Sequence, residues 1–306
     1  MNKEKELGKL RIGEKRGYLK DDFEIFHIKD QRDLEFDYHH HDFNKIVLFL
    51  SGRVTYHVED KAYELKPWDL LIIGNTSIHK PVIDSSEVYE RIVLWVYPEF
   101  LEKNNSSQSN LLDCFNKART ESHHLIRIPK EERESVEESL SELIALKDNY
   151  DDFGEDILKR ILFLRFIVYI NRLFIKSPEL KDVHRIIYDE NISAILSYIN
   201  NNLQGDLSID ALSRKFYLSR YYLMHKFKEV TGSSLYSYII QKRLIRAKEL
   251  MKEEMSITEV ASLCGFKDYS SFVRAFKKAF KMPPREYCKS FSKNVHRITE
   301  IENIDF

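Results

Sequence analysis

The period of the apolar positions changes along this 306-residue chain. Within residues 24–97, Val54, Tyr56 and Val58 alternate with polar neighbours, which is the two-residue period of a half-buried strand. Short polar segments separate this run from "AYEL", "LLIIG" and "YERIVLWVY". Several short strands joined by tight turns predict an antiparallel sandwich or barrel.

Helical spacing replaces the strand period after Pro98. Within residues 130–150, Val136 and Leu140 lie four positions apart and share one helix face. Residues 154–174, "GEDILKRILFLRFIVYINRLF", are apolar over more than one face, so this second predicted helix needs partners on two sides. The strand domain supplies one partner, and the other is either a second subunit or a further part of the same chain.

An internal repeat fills much of the helical C-terminal third. The matched pairs lie 48 or 49 positions apart and include Ser208 with Ser256, Ile209 with Ile257, Leu223 with Phe272, and Phe227 with Phe276. In each copy a serine N-cap precedes a short helix, and a tight turn leads to a longer basic helix capped by Ser219 or Asp268. The turn of the second copy contains Gly265. This order of elements predicts two helix-turn-helix units in tandem.

The segment between the two copies, residues 234–254, has the pattern of a connecting helix. About 20 helical residues span about 30 Å, close to the roughly 34 Å between successive major-groove faces of B-DNA. This length predicts that the connector holds the two basic helices about one DNA turn apart.

The charge distribution separates this third from the rest of the chain. Residues 192–291 hold 17 Lys and Arg against 9 Asp and Glu, a net charge of +8, whereas the remainder holds 31 basic and 40 acidic residues, a net charge of −9. A basic module on an acidic body is typical of a polyanion-binding domain. The chain has no apolar N-terminal segment and only three scattered cysteines, so we expect no membrane partner and a reducing, cytoplasmic location.

The basic third resembles the DNA-binding domain of the AraC/XylS family of bacterial transcription regulators. The resemblance is carried by "FKEVTG", "RLIRAKELM", "SITEVASLCGFKDYSSFVRAFKKAF" and "PPREY". Lys281 stands where the family usually has glycine, and Cys288 where arginine is common. Both departures lie beyond the second basic helix, so they concern its C-terminal turn.

This resemblance implies which side chains meet DNA. By position, the base-contacting residues are Tyr221, Met224, His225, Tyr269, Ser270, Val273 and Arg274. The expected phosphate contacts are Lys226, Lys228, Lys277 and Lys278, and Arg220 joins the DNA-binding set. Arg274 is the strongest candidate for base reading, because a guanidinium binds guanine O6 and N7 together. For any one lysine the alternative is a solvated surface charge, and Tyr221 and Tyr269 are alternatively part-buried.

The strand half resembles the cupin-type sensor domain often found ahead of this DNA-binding domain. The matching stretch begins at "YHHHDFNKIVLFLSG" and ends at "IHKPV". Two glycines common in that pattern are replaced, one by Trp68 and one by Asp60–Lys61. The helices at 130–174 occupy the place where the family dimerises.

The histidines of this stretch have three possible roles. His39, His41 and His79 have the spacing of the imidazole ligands in metal-binding cupins, but the position of the fourth ligand, a glutamate, holds Lys45. An ammonium repels a divalent cation and supplies no ligand, so we expect no metal and no cofactor here. The remaining alternatives are a structural role and hydrogen bonding to a small polar effector, with His39, His41, Lys45 and His79 as the ligand-binding set.

The sequence thus predicts a multidomain α and β regulator that binds double-stranded promoter DNA under control of a small-molecule effector, with a sugar as the candidate class. It has an antiparallel β, cupin-like barrel with flanking helices, followed by an all-α domain. The boundaries are 1–128 for the sensor, 129–176 for helical dimerisation, 177–191 for a linker, 192–291 for DNA binding and 292–306 for a tail.

We expect an activator that forms a homodimer, with RNA polymerase as a further possible partner. No GxSxG, P-loop, GxGxxG or HExxH motif is present in the sequence, so we expect no enzymatic activity. Two alternatives remain: a metal-dependent cupin enzyme, and a DNA-binding dimer whose N-terminal half binds no ligand.

Overall fold

The computed structural model describes residues 19, 21–31, 36, 39–59, 61–75, 77–146, 153–176, 185–186, 190–231, 233–251, 253 and 255–289. They belong to two compact units, one within residues 15–188 and the other within residues 189–306. The predicted tail at 292–306 and most of the predicted linker at 177–191 lie outside the described residues.

The first unit contains nine strands in its described residues, and every pairing between them is antiparallel. They are β1 (Phe23–Asp30), β2 (Asn44–Ser51), β3 (Val54–Val58), β4 (Lys61–Glu64), β5 (Asp69–Ile73), β6 (His79–Ile83), β7 (Tyr89–Val96), β8 (Leu125–Arg127) and β9 (Arg185–Ile186). One sheet has the order β1-β7-β2-β5-β8 and the other β6-β3-β4-β9. The antiparallel β prediction is confirmed, but the described strands form two sheets and no closed barrel.

The five-stranded sheet is covered on both faces, which explains the unbroken apolar runs of β2 and β5. Val47 and Phe49 pack against side chains of the four-stranded sheet. Their neighbours Ile46 and Leu48 point the other way and pack against helices, as the alternation of side chains along a strand requires. All four are at most 1% exposed, and burying such a side chain stabilises the fold by about 1.5–3 kcal/mol.

Two turns of this sandwich use left-handed backbone without glycine. Trp68 has φ of 74° and Glu59 has φ of 55°, a region that disfavours residues with a Cβ atom. Both turns are ones in which the cupin-type pattern commonly has a glycine that this sequence lacks. Asp60 itself lies outside the described residues. The Trp68 ring packs against the helix-side core and lies 5.4 Å from the Arg133 guanidinium, and these contacts offset the backbone cost.

Four helices accompany the sheets: α1 (Pro98–Lys103), α2 (Asp113–Thr120), α3 (Arg133–Ala145) and α4 (Glu155–Lys176). One face of α4 is buried through Phe163, Ile167 and Ile170. On the same helix, Ile157 and Ile161 are 57% and 56% exposed. The sequence predicted that the helix at residues 154–174 needs partners on two sides. Within the described part of this unit, α4 has a partner on one side.

The second unit is helical, as predicted. It contains α5 (Glu190–Asn201), α6 (Ile209–Lys215), α7 (Arg220–Thr231), α8 (Leu235–Leu250), α9 (Ile257–Leu263) and α10 (Tyr269–Phe280), and residues 284–289 add a further helical segment. The predicted N-caps are confirmed. The side chains of Ser208, Ser256 and Asp268 accept hydrogen bonds from the backbone N–H of Ala211, Glu259 and Ser271, and Ser219 accepts from that of Tyr222.

The connecting helix is shorter than the sequence pattern predicted. α8 ends at Leu250 and has 16 residues, so its length is about 24 Å instead of about 30 Å. Apolar residues continue to Met251, which packs into the core of the second repeat, so the apolar period extends past the helix end.

A pairing that the sequence did not predict occurs inside the expected linker. Ile186 and Arg185 of β9 pair with Ala62 and Tyr63 of β4. A two-residue strand carries too little periodicity to be recognised in a polar segment. None of the described helices is long and apolar enough to cross a membrane.

Candidate functional site

The second helix of each repeat separates a buried face from an exposed one. Leu223 and Phe227 of α7, and Phe272 and Phe276 of α10, are completely buried and anchor the helices to their neighbours. This matches the four-residue spacing seen in the sequence. The opposite faces are therefore held outward by packing.

The predicted base-contacting residues lie on these outward faces. Tyr221 is 74% exposed, so the alternative that it is part-buried is wrong, whereas Tyr269 is 47% exposed and keeps about half of its surface accessible. Met224, His225, Ser270 and Arg274 are also exposed, and Val273 is half-buried. The Tyr221 and His225 rings stack at 5.7 Å with an interplanar angle of 5°, which orders both side chains on one surface.

The basic residues of the two helices have different local partners. Arg274 donates to the Ser271 hydroxyl at 3.2 Å, so its guanidinium stays near the N-terminal end of α10. Arg220 forms a 2.6 Å ion pair with Asp210 of α6, and Lys226 pairs with Glu229 at 3.1 Å. Lys228, Lys277 and Lys278 are exposed on the surface. Ion pairs with acidic side chains therefore offset the charges of Arg220 and Lys226 in α7.

The turns of the two repeats reveal a residue that sequence reasoning missed. Gly265 has φ of 79°, and its equivalent 48 positions earlier is Tyr217 with φ of 54°. The Tyr217 side chain is 95% exposed and borders an open groove of about 530 Å³ that also includes Arg214 and Arg220. Extending the repeat alignment to the turn would have identified Tyr217.

Lys281, which stands where the family usually has glycine, lies at the C-terminal end of α10. Lys281 takes the left-handed conformation, with φ of 60°, and its N–H donates to the Lys277 carbonyl. A left-handed residue at this position is the usual end of a helix, and glycine is preferred there. Lys281 therefore preserves the turn at a conformational cost, and the helix end keeps its geometry.

Three histidines converge in the first unit. His39, His41 and His79 are 6%, 4% and 1% exposed, and each offers a nitrogen atom within 4.8 Å of the others. His39 and His79 form an isolated antiparallel bridge, with backbone N–H···O distances of 3.1 and 2.9 Å. The structure thus brings His79 next to His39 and His41, which precede it by about 40 positions in the sequence.

The hydrogen bond at His79 fixes its tautomer. His79 Nδ1 lies 3.0 Å from the Ser77 carbonyl oxygen, and because a carbonyl only accepts, Nδ1 carries the proton. The Nε2 atom then bears the lone pair. Burial lowers the pKa of His79 well below its usual value, and His39, Lys45 and His41 lower it further, so the ring is neutral at physiological pH.

Lys45, the fourth predicted residue of the ligand set, is positioned by the opposite sheet. Its Nζ donates to the Tyr56 hydroxyl at 2.9 Å, joining β2 to β3. Burial raises the pKa of Tyr56 well above 10, so this hydroxyl stays protonated and accepts from the ammonium. The polar end of the sandwich therefore combines three imidazoles, an ammonium and a phenol.

Comparison with known proteins identifies two families along the chain. Residues 24–165 match the family described as AraC-like ligand binding domain, and residues 212–290 match a family described as helix-turn-helix domain. Together the two matches include all four predicted ligand-binding residues and all the predicted DNA-binding residues.

Several relatives match both parts. The probable transcriptional regulator LumQ of Photobacterium leiognathi is 28% identical over 252 residues, which is 82% of this chain and 91% of LumQ. The transcriptional activator RhaR of Pectobacterium atrosepticum is 23% identical over 266 residues, 84% of this chain and 87% of RhaR. The transcriptional activator RhaS of Salmonella paratyphi A is 23% identical over 263 residues, 82% of this chain and 87% of RhaS.

Proposed function

This chain belongs to the AraC family of transcription regulators, and from that premise we propose that α7 and α10 read promoter DNA under the control of an effector bound in the strand unit. The observation that carries this proposal is the repeated arrangement of the two helices. Each buries a pair of apolar side chains and exposes the face to which the resemblance assigns base contacts. Two such faces in one basic unit favour recognition of two adjacent half-sites.

The exposed residues divide by chemistry. Arg274 suits direct reading of guanine, Met224 and Val273 offer apolar contacts to a thymine methyl group, and the remaining assigned residues offer polar contacts to base edges. Lys228, Lys277 and Lys278 suit phosphate contacts, which position the protein without specifying sequence. Arg220 already pairs with Asp210, so its part in DNA binding requires that it leave or share this ion pair.

Genomic footprinting of the full chain tests the DNA-binding proposal. We expect protected sites upstream of genes, with two contacted segments about one helical turn apart, because one unit carries two reading helices. Protection spread evenly over the genome, without a shared sequence, would contradict a sequence-specific role.

For the effector, we propose a small polar molecule, with sugars as the first class to test, bound near His39, His41, Lys45 and His79. A few polar groups that converge among apolar side chains are typical of the lining of small-molecule sites. Thermal-shift screening with sugars and metabolites provides the test, since a ligand that prefers the folded state raises the melting temperature. If no compound shifts the transition while DNA binding persists, the alternative of a ligand-free N-terminal half is favoured.

We further propose that the chain is a homodimer through the exposed face of α4. The helix leaves Ile157, Ile161 and Ile175 at 57%, 56% and 47% exposure, and an apolar stripe of this kind is covered when two helices pair. Effector binding would change the balance between two arrangements of the dimer, which requires different affinities for the two arrangements.

The relatives RhaR and RhaS are named as transcriptional activators, and we propose activation here also, with RNA polymerase as the partner at the promoter. A regulator of this family acts where the chromosome lies, so we place it in the cytoplasm. We propose that the chain has no enzymatic activity. The five domain boundaries given by the sequence are part of this proposal.

A further inference from the structure

The three histidine rings of the first unit lie at the corners of a nearly equilateral triangle. The ring centroids of His39 and His79 are 4.4 Å apart, and His41 lies 5.1 Å from each. Imidazole nitrogens lie about 2.0–2.1 Å from a bound zinc ion, so tetrahedral coordination separates two of them by about 3.3 Å. The nitrogens here are within 4.8 Å of one another, so binding one ion requires the most distant pair to approach by at most about 1.5 Å.

The backbone holds this triangle in place. His39 and His79 face each other across two backbone hydrogen bonds, so their side chains lie on the same face. His41 follows His39 by two residues, which returns its side chain to that face in extended backbone. The His41 ring stacks on Phe43 at 4.5 Å and 10°, and this contact limits its rotation.

The Nε2 atom of His79 points to a ligand. It is buried and has no hydrogen-bond partner among the described residues, although buried polar atoms are nearly always paired. The Ser77 carbonyl holds the proton on Nδ1, leaving the Nε2 lone pair available. Histidines that bind metals usually donate their other ring N–H to a carboxylate, a backbone carbonyl or water, and His79 has this arrangement.

We propose that His39, His41 and His79 bind one divalent transition-metal ion of the zinc type. Three imidazoles favour zinc, copper, nickel or cobalt, whereas magnesium and calcium prefer oxygen ligands. Three protein ligands leave a fourth position of a tetrahedral ion open, and this position is where a donor atom of the effector binds. That regulatory role rests on the proposed function of the strand unit as a sensor, but the metal site does not.

Lys45 is the reason why the sequence predicted no metal here. In the structure its ammonium donates to the Tyr56 hydroxyl, 2.9 Å away. Its charge still opposes a cation, because the ring of Tyr56, to which it donates, lies only 6.1 Å from the His79 ring between centroids. Lys45 therefore weakens binding and gives the open coordination position a preference for an anionic donor.

Zinc binding to the metal-free full-length protein, measured by titration calorimetry with zinc chloride and by metal analysis after dialysis, tests the proposal. We expect one zinc per chain in the native protein. His79→Gln should weaken zinc binding at least tenfold, whereas Lys45→Glu should strengthen it at least tenfold by adding a carboxylate and removing a positive charge.

His57→Gln is the matched control. His57 is also buried, at 4% exposure, but it pairs with Lys80 in the register in which Val58 pairs with His79, so its side chain lies on the opposite face of the sheet. The control should bind zinc like the native protein. If His79→Gln fails to fold, as judged by circular dichroism, His41→Gln gives the same comparison.

A folded native protein that binds no zinc, or that binds it no better than the ligand variants, would overturn the metal site. If that protein still footprints promoter DNA and responds to an organic effector, the proposed regulatory function stands without the metal. Stoichiometric zinc in a protein that protects no specific DNA would have the opposite meaning: the metal site would hold and the regulator proposal would fail.

Discussion

At the scale of single residues, the two repeats place different residues at the same left-handed turn position. Gly265 and Tyr217 both take the left-handed conformation at the turn. A Cβ atom on Gly265 would lie 2.3 Å from the Leu203 carbonyl oxygen and 2.9 Å from an Arg243 nitrogen. Glycine is therefore required in the second turn, whereas the first turn admits an exposed aromatic residue.

Substituting these two residues should give unequal effects on stability. Gly265→Ala should destabilise the protein by about 2–3 kcal/mol, because it adds both a steric clash and left-handed strain. Tyr217→Gly should change stability by less than about 1 kcal/mol, since relief of strain and the greater flexibility of unfolded glycine oppose each other. Urea denaturation of both variants measures the difference, and equal losses would contradict this reading of the turns.

The exposed basic residues of α10 should differ in how they bind DNA. Arg274→Ala should cost about 1–3 kcal/mol at one base position of the target site. Lys277→Ala should weaken binding to all sequences alike and reduce the salt slope by about one. Binding assays over a salt series with single-base variants of the site separate the two, and an Arg274→Ala loss that is equal on every sequence would exclude base reading.

At the scale of elements, α4 carries apolar side chains on both its buried face and its exposed face. Its inner face joins the core that also includes the sheet residues Ile46 and Leu94. Its outer face presents Ile157 and Ile161 to solvent. The sequence predicted that α4 is apolar over more than one face. The core accounts for the inner face, and our dimer proposal accounts for the outer one.

Introducing a charge on the outer face of α4 should separate the subunits. In Ile161→Asp, pairing of two copies would bury a carboxylate in an apolar contact, which costs free energy. We expect light scattering to show dimers for the native protein and monomers for the variant. Val82→Asp is the control, because Val82 is 45% exposed on β6 and away from α4. A variant at Ile161 that remains dimeric would place the interface elsewhere.

At the scale of the whole molecule, buried histidines couple stability to pH. Burial, reinforced by Lys80, lowers the pKa of His57 from 6.5 to about 4. Between these values the unfolded chain binds a proton at this residue and the folded protein does not. Lowering the pH through this range therefore favours unfolding.

Replacing His57 should reduce the fall in the free energy of unfolding at acid pH. The stabilisation from a neutral His57 is complete above pH 6.5 and falls by about 3 kcal/mol by pH 4. His57→Gln should lose less stability than the native protein over the same range in urea denaturation at a series of pH values. Parallel profiles for the two proteins would show that His57 is protonated in the folded state as readily as in the unfolded state.

The sequence alone determined the features that depend on neighbouring residues. The strand period of Val54, Tyr56 and Val58, the N-caps at Ser208 and Asp268 and the tandem helix-turn-helix order were all predicted and are present. Periodicity and capping act over a few residues, so they can be read locally. The same local information made the connecting helix too long and left β9 unrecognised.

Only the tertiary structure decided the features that join distant parts of the chain. The direction of the Lys45 ammonium depends on Tyr56 in the opposite sheet, and the bridge between His39 and His79 depends on the pairing of segments 40 positions apart. The tertiary structure also decided which face of α4 is buried. Such contacts follow from sheet packing and register, which the composition of a segment does not specify. The residues of the candidate site were therefore identified from sequence, but their chemistry required the fold.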